Sequence, residues 1–286
     1  MVEEIVELIK RAATVLPDDV VIAIRSARDG EENGSRAFNI LGAILENISL
    51  ARRKSVPICQ DTGVPVFHVY RPDSMSEAEI TRAVIDAVRR SVSLYYLRPN
   101  AVDPISGLNT TDGTGRNMPQ LHFENCGEGA LRINLLLKGG GSENVGAQYS
   151  LPDSGLDAGR DLDGVRRCIE DAVVLAQGRG CPPGIVGVGI GGDRSGSYLL
   201  ASKQFFRRLD DENDDPVLRE LEKQMTSRLN ELGIGPMGLG GNSTVLGVKV
   251  AAIERHPASY FVSVAYMCWA LRRASVVFEK DGASYD

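Results

Sequence analysis

The run Pro57-Ile58-Cys59-Gln60-Asp61-Thr62-Gly63 sets a thiol, an amide, a carboxylate and a hydroxyl on consecutive residues and closes them with glycine. A thiolate there could hold a metal or a cluster, and its polar neighbours could bind and work on a substrate. A buried free cysteine at a loop edge also accounts for the thiol, and Asp61 alone could be a turn former. Four more cysteines follow at 126, 168, 181 and 268. Cys181 lies between Gly180 and Pro182-Pro183-Gly184, a stiff turn that would aim its sulfur one way. Cys268 ends the apolar run Tyr266-Met267-Cys268-Trp269, with Arg272 and Arg273 just beyond. Cys126 falls in a polar turn and Cys168 in an amphipathic helix, and both read as ordinary thiols. No Cys-x-x-Cys pair occurs, so any shared site must draw its ligands from distant segments.

Glycine-rich stretches at 139–146, 187–196 and 238–241 could turn backbone N–H groups onto an anion, although each also reads as a tight turn. Residues 187–192 miss the dinucleotide-binding spacing and no clear helix follows them; a phosphate-binding loop with its lysine is absent.

Three helices are expected before the 57–63 run. Val2, Ile5, Val6, Ile9 and Ala13 keep helical spacing, and Pro17-Asp18-Asp19 breaks the pattern before a second segment. A third helix, from Phe38 to Leu50, delivers the chain to Cys59. A strand over 64–70 follows, then a helix from a Ser76/Glu79 capping box to about Leu97. Residues 100–119 form a long polar loop of the kind often kept for function. Beyond it, strands are expected near 131–135, 185–190, 245–253 and 260–266. Helices are expected over 161–177, stopped by Gly178 and Gly180, and from Asp215-Pro216 to Gly233. The acidic run 210–215 reads as a solvated loop. Helices and strands do not alternate regularly, which favours a single mixed α+β domain over 1–286, helical at its start, then a mixed sheet with packed helices.

Composition narrows the classes. The 286 residues are 43% hydrophobic and 24% charged, with net charge −6, as in an ordinary globular protein. No basic stripe suggests nucleic acid, and no apolar run approaches the ~20 residues of a membrane span. The acidic N-terminus does not read as a signal peptide. An odd number of scattered cysteines argues against a disulfide framework. The expected compartment is the cytosol.

The runs at 57–63, 138–144, 181–192 and 235–241, together with His256-Pro257 and Cys268-Trp269, resemble the α subunit of the class I fumarase and L-tartrate dehydratase family of iron–sulfur hydro-lyases. The resemblance spans essentially the whole chain. It implies that Cys59, Cys181 and Cys268 ligate a [4Fe–4S] cluster with one iron left open to act as a Lewis acid. It also implies that Gln60 and Asp61 lie against a dicarboxylate substrate, with Asp61 assisting proton transfer. Arg98 matches an active-site position, His256 a histidine near the substrate hydroxyl, and Gly141 a carboxylate nest. On the residues alone, Arg98 could cap a helix and His256 could be a surface-loop histidine. Residues 112–119 depart from the family pattern, with Arg116 where an aspartate is expected, so the reaction class is better specified than the substrate. Nothing in the chain matches the second domain that supplies substrate-binding arginines, a lysine and a threonine in single-chain relatives. The expectation is therefore a hetero-oligomer or dimer in which a separate β subunit completes the site, this chain alone being inactive. Fumarate hydration to malate comes first, then dehydration of tartrate or hydration of mesaconate. A non-catalytic Fe–S-binding scaffold is the reading from another class, and a nucleotide-binding enzyme a distant third.

Overall fold

The computed structural model describes residues 1–279 and 282–286. In chain order the elements are α1 (Val2–Thr14), α2 (Asp18–Asp29), α3 (Arg36–Lys54), β1 (Val64–Arg71), α4 (Glu77–Ser93), β2 (Gln120–Asn125), β3 (Leu131–Lys138) and α5 (Gly140–Glu143). They continue as β4 (Ala147–Ser150), α6 (Leu162–Ala176), β5 (Gly184–Ile190), α7 (Arg194–Lys203), α8 (Pro216–Asn230), β6 (Val245–Ala252), β7 (Phe261–Met267), β8 (Arg273–Glu279) and β9 (Gly282–Tyr285). The α+β class read from the sequence holds, with the strands divided between two sheets. The chain separates into two compact units.

The first unit comprises Met1–Pro17, Glu46–Gly140 and Arg272–Asp286. Its sheet runs β2-β1-β3-β8-β9, with β1 and β2 parallel through the α4 crossover and the remaining pairs antiparallel. Ile5, Leu8 and Ile9 of α1 and Ile80, Val84 and Ala87 of α4 sit at helical spacing and are fully buried with Phe67, Ile133 and Leu135 of the sheet. Each such aliphatic side chain contributes roughly 1.5–3 kcal/mol by leaving water. Helix α4 starts where expected, the Ser76 hydroxyl accepting the Glu79 N–H at 3.2 Å, but ends at Ser93 rather than Leu97. Tyr95, at φ +63°, has already left the helical region.

The second unit comprises Asp18–Leu45 and Gly141–Leu271. Its sheet runs β4-β7-β5-β6, with β5 and β6 parallel and β7 antiparallel between β4 and β5. Strand β5 is buried along its whole length, so it reads as an apolar run without alternation. Helix α7 corrects one expectation, since a helix does follow the glycines at 187–192. It is capped by Asp193, whose carboxylate accepts the Gly196 N–H. Its low apolar content hid it. Gly187 and Gly189 are glycine because a Cβ at either would collide with the backbone oxygens of Ala201 and Ser197 in α7. Among the described residues no helix is long and apolar enough to cross a membrane.

Candidate active site

The 57–63 run is a loop whose backbone is fixed from several directions within the first unit. Helix α3 ends in a last turn bearing Arg52, Arg53 and Lys54, charges that favour a helix C-terminus. Ser55 then turns the chain out at φ +53°. The Ile58 N–H donates to the Ala13 carbonyl at the end of α1, and Asn47 Nδ2 donates to the Ile58 carbonyl. The Ile58 side chain is buried as well. With both faces of that peptide held, Cys59 is presented half-buried as a free thiol.

Cys59 opens onto a cavity of about 450 Å³, lined by Asn47, Pro57, Ile58, Cys59, Gln60, Thr62, Tyr95, Leu97 and Arg98. The structure thus brings together three of the expected residues, Cys59, Gln60 and Arg98. Arg98 is no helix cap: it lies five residues past α4 and is exposed, and its guanidinium has no protein partner among the described residues. Its position comes from its backbone, because Thr62 Oγ1 accepts both the Arg98 N–H and Asn100 Nδ2. Asn100 Nδ2 also reaches the Gly63 carbonyl. Gly63 must be glycine twice over: its φ is +80°, and a Cβ would lie 2.9 Å from the backbone of Leu137 and Lys138.

Asp61 does more than form a turn. Its Oδ1 accepts the Gly63 N–H at 2.9 Å, and its Oδ2 accepts the Gly140 N–H at 2.8 Å. Two backbone donors hold the carboxylate in one orientation and leave each oxygen a further lone pair. The carboxylate faces Gly139 and Gly140 and is not part of the cavity lining.

In the second unit, Cys181 and Cys268 come together. Cys181 takes the left-handed conformation at φ 54°, following Gly178 and Gly180, and its carbonyl accepts the Trp269 N–H. The Cys268 N–H donates to Ser142 Oγ at 3.0 Å. Between the two cysteine segments stands Tyr266, whose ring occupies the space where Cβ atoms of Gly180 and Gly184 would be. Burial, and then the proximity of Cys268 and Cys181, push its phenol well above the ordinary tyrosine range. Gly141, exposed on the same unit, faces the Arg179 carbonyl in the turn before Cys181.

His256 is not near this cysteine pair. Residue 185 pairs with 267 at one end of β5 and β7, whereas Ile190 pairs with Val262 and Ala252 at the other. The loop 253–260 leaves from that far end, where the Ile253 N–H donates to the Ile190 carbonyl. Five residues of strand, about 17 Å, separate the two ends. His256 is exposed, and its Nδ1 accepts the Ala258 N–H. Arg116, the departure from the family pattern, is an exposed residue paired with Asp103.

The donor chemistry suits a soft iron–sulfur group. Cys59, Cys181 and Cys268 are all half-buried. Cys168 is fully buried, which pushes its thiol up to about 12, and Cys126 is exposed in a turn. Among the described residues no three His, Cys, Asp or Glu side chains lie close enough together to hold a single metal ion. Asn47, Asn100, Ser142 and Arg272 were not singled out from the sequence as site residues, and Thr62 only as a polar neighbour of Cys59. Their partners lie 11 to 211 residues away, which no local pattern records.

The family profile for fumarate hydratase (Fumerase) matches residues 2–277. A Geobacillus stearothermophilus protein assigned as a class I fumarate hydratase is 48% identical over 277 residues, 96% of this chain and 54% of its own length. A Methanocaldococcus jannaschii protein assigned as the α subunit of L(+)-tartrate dehydratase is 35% identical over 276 residues, 94% of each chain. The L(+)-tartrate dehydratase α subunit of Escherichia coli K12 is 30% identical over 272 residues, 94% of this chain and 88% of its own. This chain belongs to the fumarate hydratase family. It spans about half the length of the fumarate hydratase relative and nearly the whole of the tartrate dehydratase α subunits.

Proposed function

We propose that this chain is the cluster-bearing α subunit of an iron–sulfur hydro-lyase that reversibly hydrates fumarate to malate, with a separate β subunit completing the active site. The observation that carries this reading is the half-buried Cys59 opening onto the same cavity as Gln60 and the unpaired Arg98, in a chain of this family. Cys59, Cys181 and Cys268 are the residues to hold a [4Fe–4S] cluster, which when bound supplies a Lewis-acidic iron for the hydroxyl that is added or removed. Arg98 offers a cavity-facing guanidinium to one substrate carboxylate, and the exposed Gly141 offers side-chain-free backbone to the other. The Gln60 amide orients substrate. Asp61, fixed by its two backbone donors, takes or returns a proton at a free lone pair of Oδ1 or Oδ2. His256, the other catalytic candidate from the sequence, keeps that role only if a second chain brings a substrate to the far end of the second sheet.

L-tartrate dehydration is the second reading, favoured by the near-complete match to tartrate dehydratase α subunits, whereas the higher identity favours fumarate. Mesaconate is a third substrate to test. Anaerobic reconstitution of the chain with and without a co-expressed β-type chain, followed by iron counting, EPR and assays on the three acids, tests the proposal. About four irons are expected per chain, lost in Cys59→Ser, Cys181→Ser and Cys268→Ser and retained in Cys126→Ser and Cys168→Ser. A loaded cluster with no turnover of any dicarboxylate in the complex would make the chain a non-catalytic Fe–S scaffold.

A further inference from the structure

Arg272 is among the largest fully buried side chains of the described residues, 1% exposed. A guanidinium so enclosed has a desolvation penalty of several kcal/mol unless fixed partners meet it. The structure shows what meets it. Arg272 Nη1 donates to the Asp61 carbonyl at 2.6 Å, while Arg272 Nε is buried with no hydrogen-bond partner. The β3–β8 register places Arg273 opposite Leu136, and the Arg272 carbonyl accepts the Leu137 N–H at 3.0 Å. The arginine is thereby locked beside the segment that leads to Gly139 and Gly140. At Gly139, a Cβ would lie 2.9 Å from Asp61 Oδ2 and 3.5 Å from Arg272 Nη2. Carboxylate and guanidinium thus flank one glycine, and the carboxylate is held there by the Gly140 N–H.

We infer that Arg272 is a positioning residue for Asp61: its buried guanidinium clamps the Asp61 peptide, and the side-chain-free surface of Gly139 keeps room for the Asp61 carboxylate beside it. The inference rests on the proposed role of Asp61 for its kinetic consequence, but its geometry stands by itself. Arg272 is shut off from solvent, whereas Asp61 is only half-buried, so Arg272 acts through Asp61 and not on substrate.

The test uses the complete α–β enzyme, with Arg272→Met, Arg272→Lys, Gly139→Ala, Asp61→Asn and the double variant Arg272→Met/Asp61→Asn. Arg272→Met is expected to lower kcat about 100-fold, the cost of displacing a reacting group by about 1 Å, with KM within about threefold. Arg272→Lys should recover part of that loss because it keeps the charge, and Gly139→Ala should lower kcat with Arg272 intact. The double variant should match Asp61→Asn alone, since a clamp on an absent base has nothing left to do. Crystal structures of the variants should show the Asp61 carboxylate released from the Gly140 N–H. Losses that multiply in the double variant, or an unmoved Asp61 in Arg272→Met, would overturn the inference. If Arg272→Met fails to fold, Arg272→Lys and Gly139→Ala carry the same structural and kinetic readouts. If the wild-type complex turns over no dicarboxylate, the proposed function falls, while the displacement of Asp61 still decides the role of Arg272.

Discussion

Asp61 and His256 are the two acid–base candidates, and the residues themselves are held by different means. Asp61 accepts from Gly63 two residues on, but also from Gly140, 79 residues away, and from Arg272, 211 residues away. His256 is held by Arg255, Ala258 and Ser259, all within three residues. Distant segments hold the loop around it, the Gly192 N–H donating to the Glu254 carbonyl and Arg160 Nη2 to the Ala258 carbonyl, but none of these bonds is to His256 itself. A proton-transfer group must hold its place to a fraction of an ångström. The contrast supports the proposal of Asp61, rather than His256, as the proton-transfer group.

Kinetics would break that contrast most directly. Asp61→Asn in the assembled enzyme is expected to lower kcat by about 10²–10⁴, the span of a general acid–base contribution. His256→Asn should stay within about threefold of wild type, and a loss beyond tenfold would return His256 to the active site. Backbone strain gives the next largest effect. Gly63→Ala forces a Cβ onto the Leu137–Lys138 backbone at a positive φ and should cost about 2–4 kcal/mol in urea unfolding. A cost below 1 kcal/mol would show loop 57–63 to be softer than its bonds suggest. Thr62→Val keeps the shape of a buried side chain but leaves the Arg98 N–H without its acceptor, an expected loss of about 1–3 kcal/mol. Ser259→Ala beside His256 should change stability by less than about 0.5 kcal/mol, as surface substitutions do.

An effect confined to alkaline pH concerns Cys168. Cys168 is raised from the ordinary value of 9.0 to about 12, chiefly by burial and further by Asp153 and Asp171. Its neutral form therefore favours the folded state. That contribution is complete below pH 9 and declines as pH rises from 9 to about 12, because the unfolded chain loses the proton first. Cys168→Ala should flatten this alkaline fall in stability measured by urea titration across that range. An equally steep fall in the variant would show that other groups cause it.

Much of the frame was legible in the sequence. Helix α1 announced itself by apolar spacing and α4 and α8 by Ser76 and Asp215, which cap as expected; α6 begins at Asp161 as expected, and that residue caps it as well. Strands β2, β4, β8 and β9 were not expected, and β2 and β4 carry no fully buried face to give them an alternating pattern. Cys59, Gln60 and Arg98 were found together because two of them share a run and the third belongs to a recognisable one. Arg272 was visible only as an arginine after an apolar stretch, since its partner lies two hundred residues upstream. His256 shows the converse. A histidine beside a proline looks much the same on an exposed loop as in an active site, and the strand register is what places it at the far end of its sheet.

The first unit takes its first helix from residues 1–17 and its closing strands from residues 272–286, with the whole of the second unit encoded in between. During synthesis, loop 57–63 leaves the ribosome long before the arginine that clamps it. The second unit can complete its own sheet while Asp61 is still waiting for β8. Domains tend to fold as units while the chain is being made, and pairing across such a separation is slow. The clamp on the Asp61 peptide is thus among the last contacts that can form, after the segments bearing Cys181 and Cys268 have already emerged.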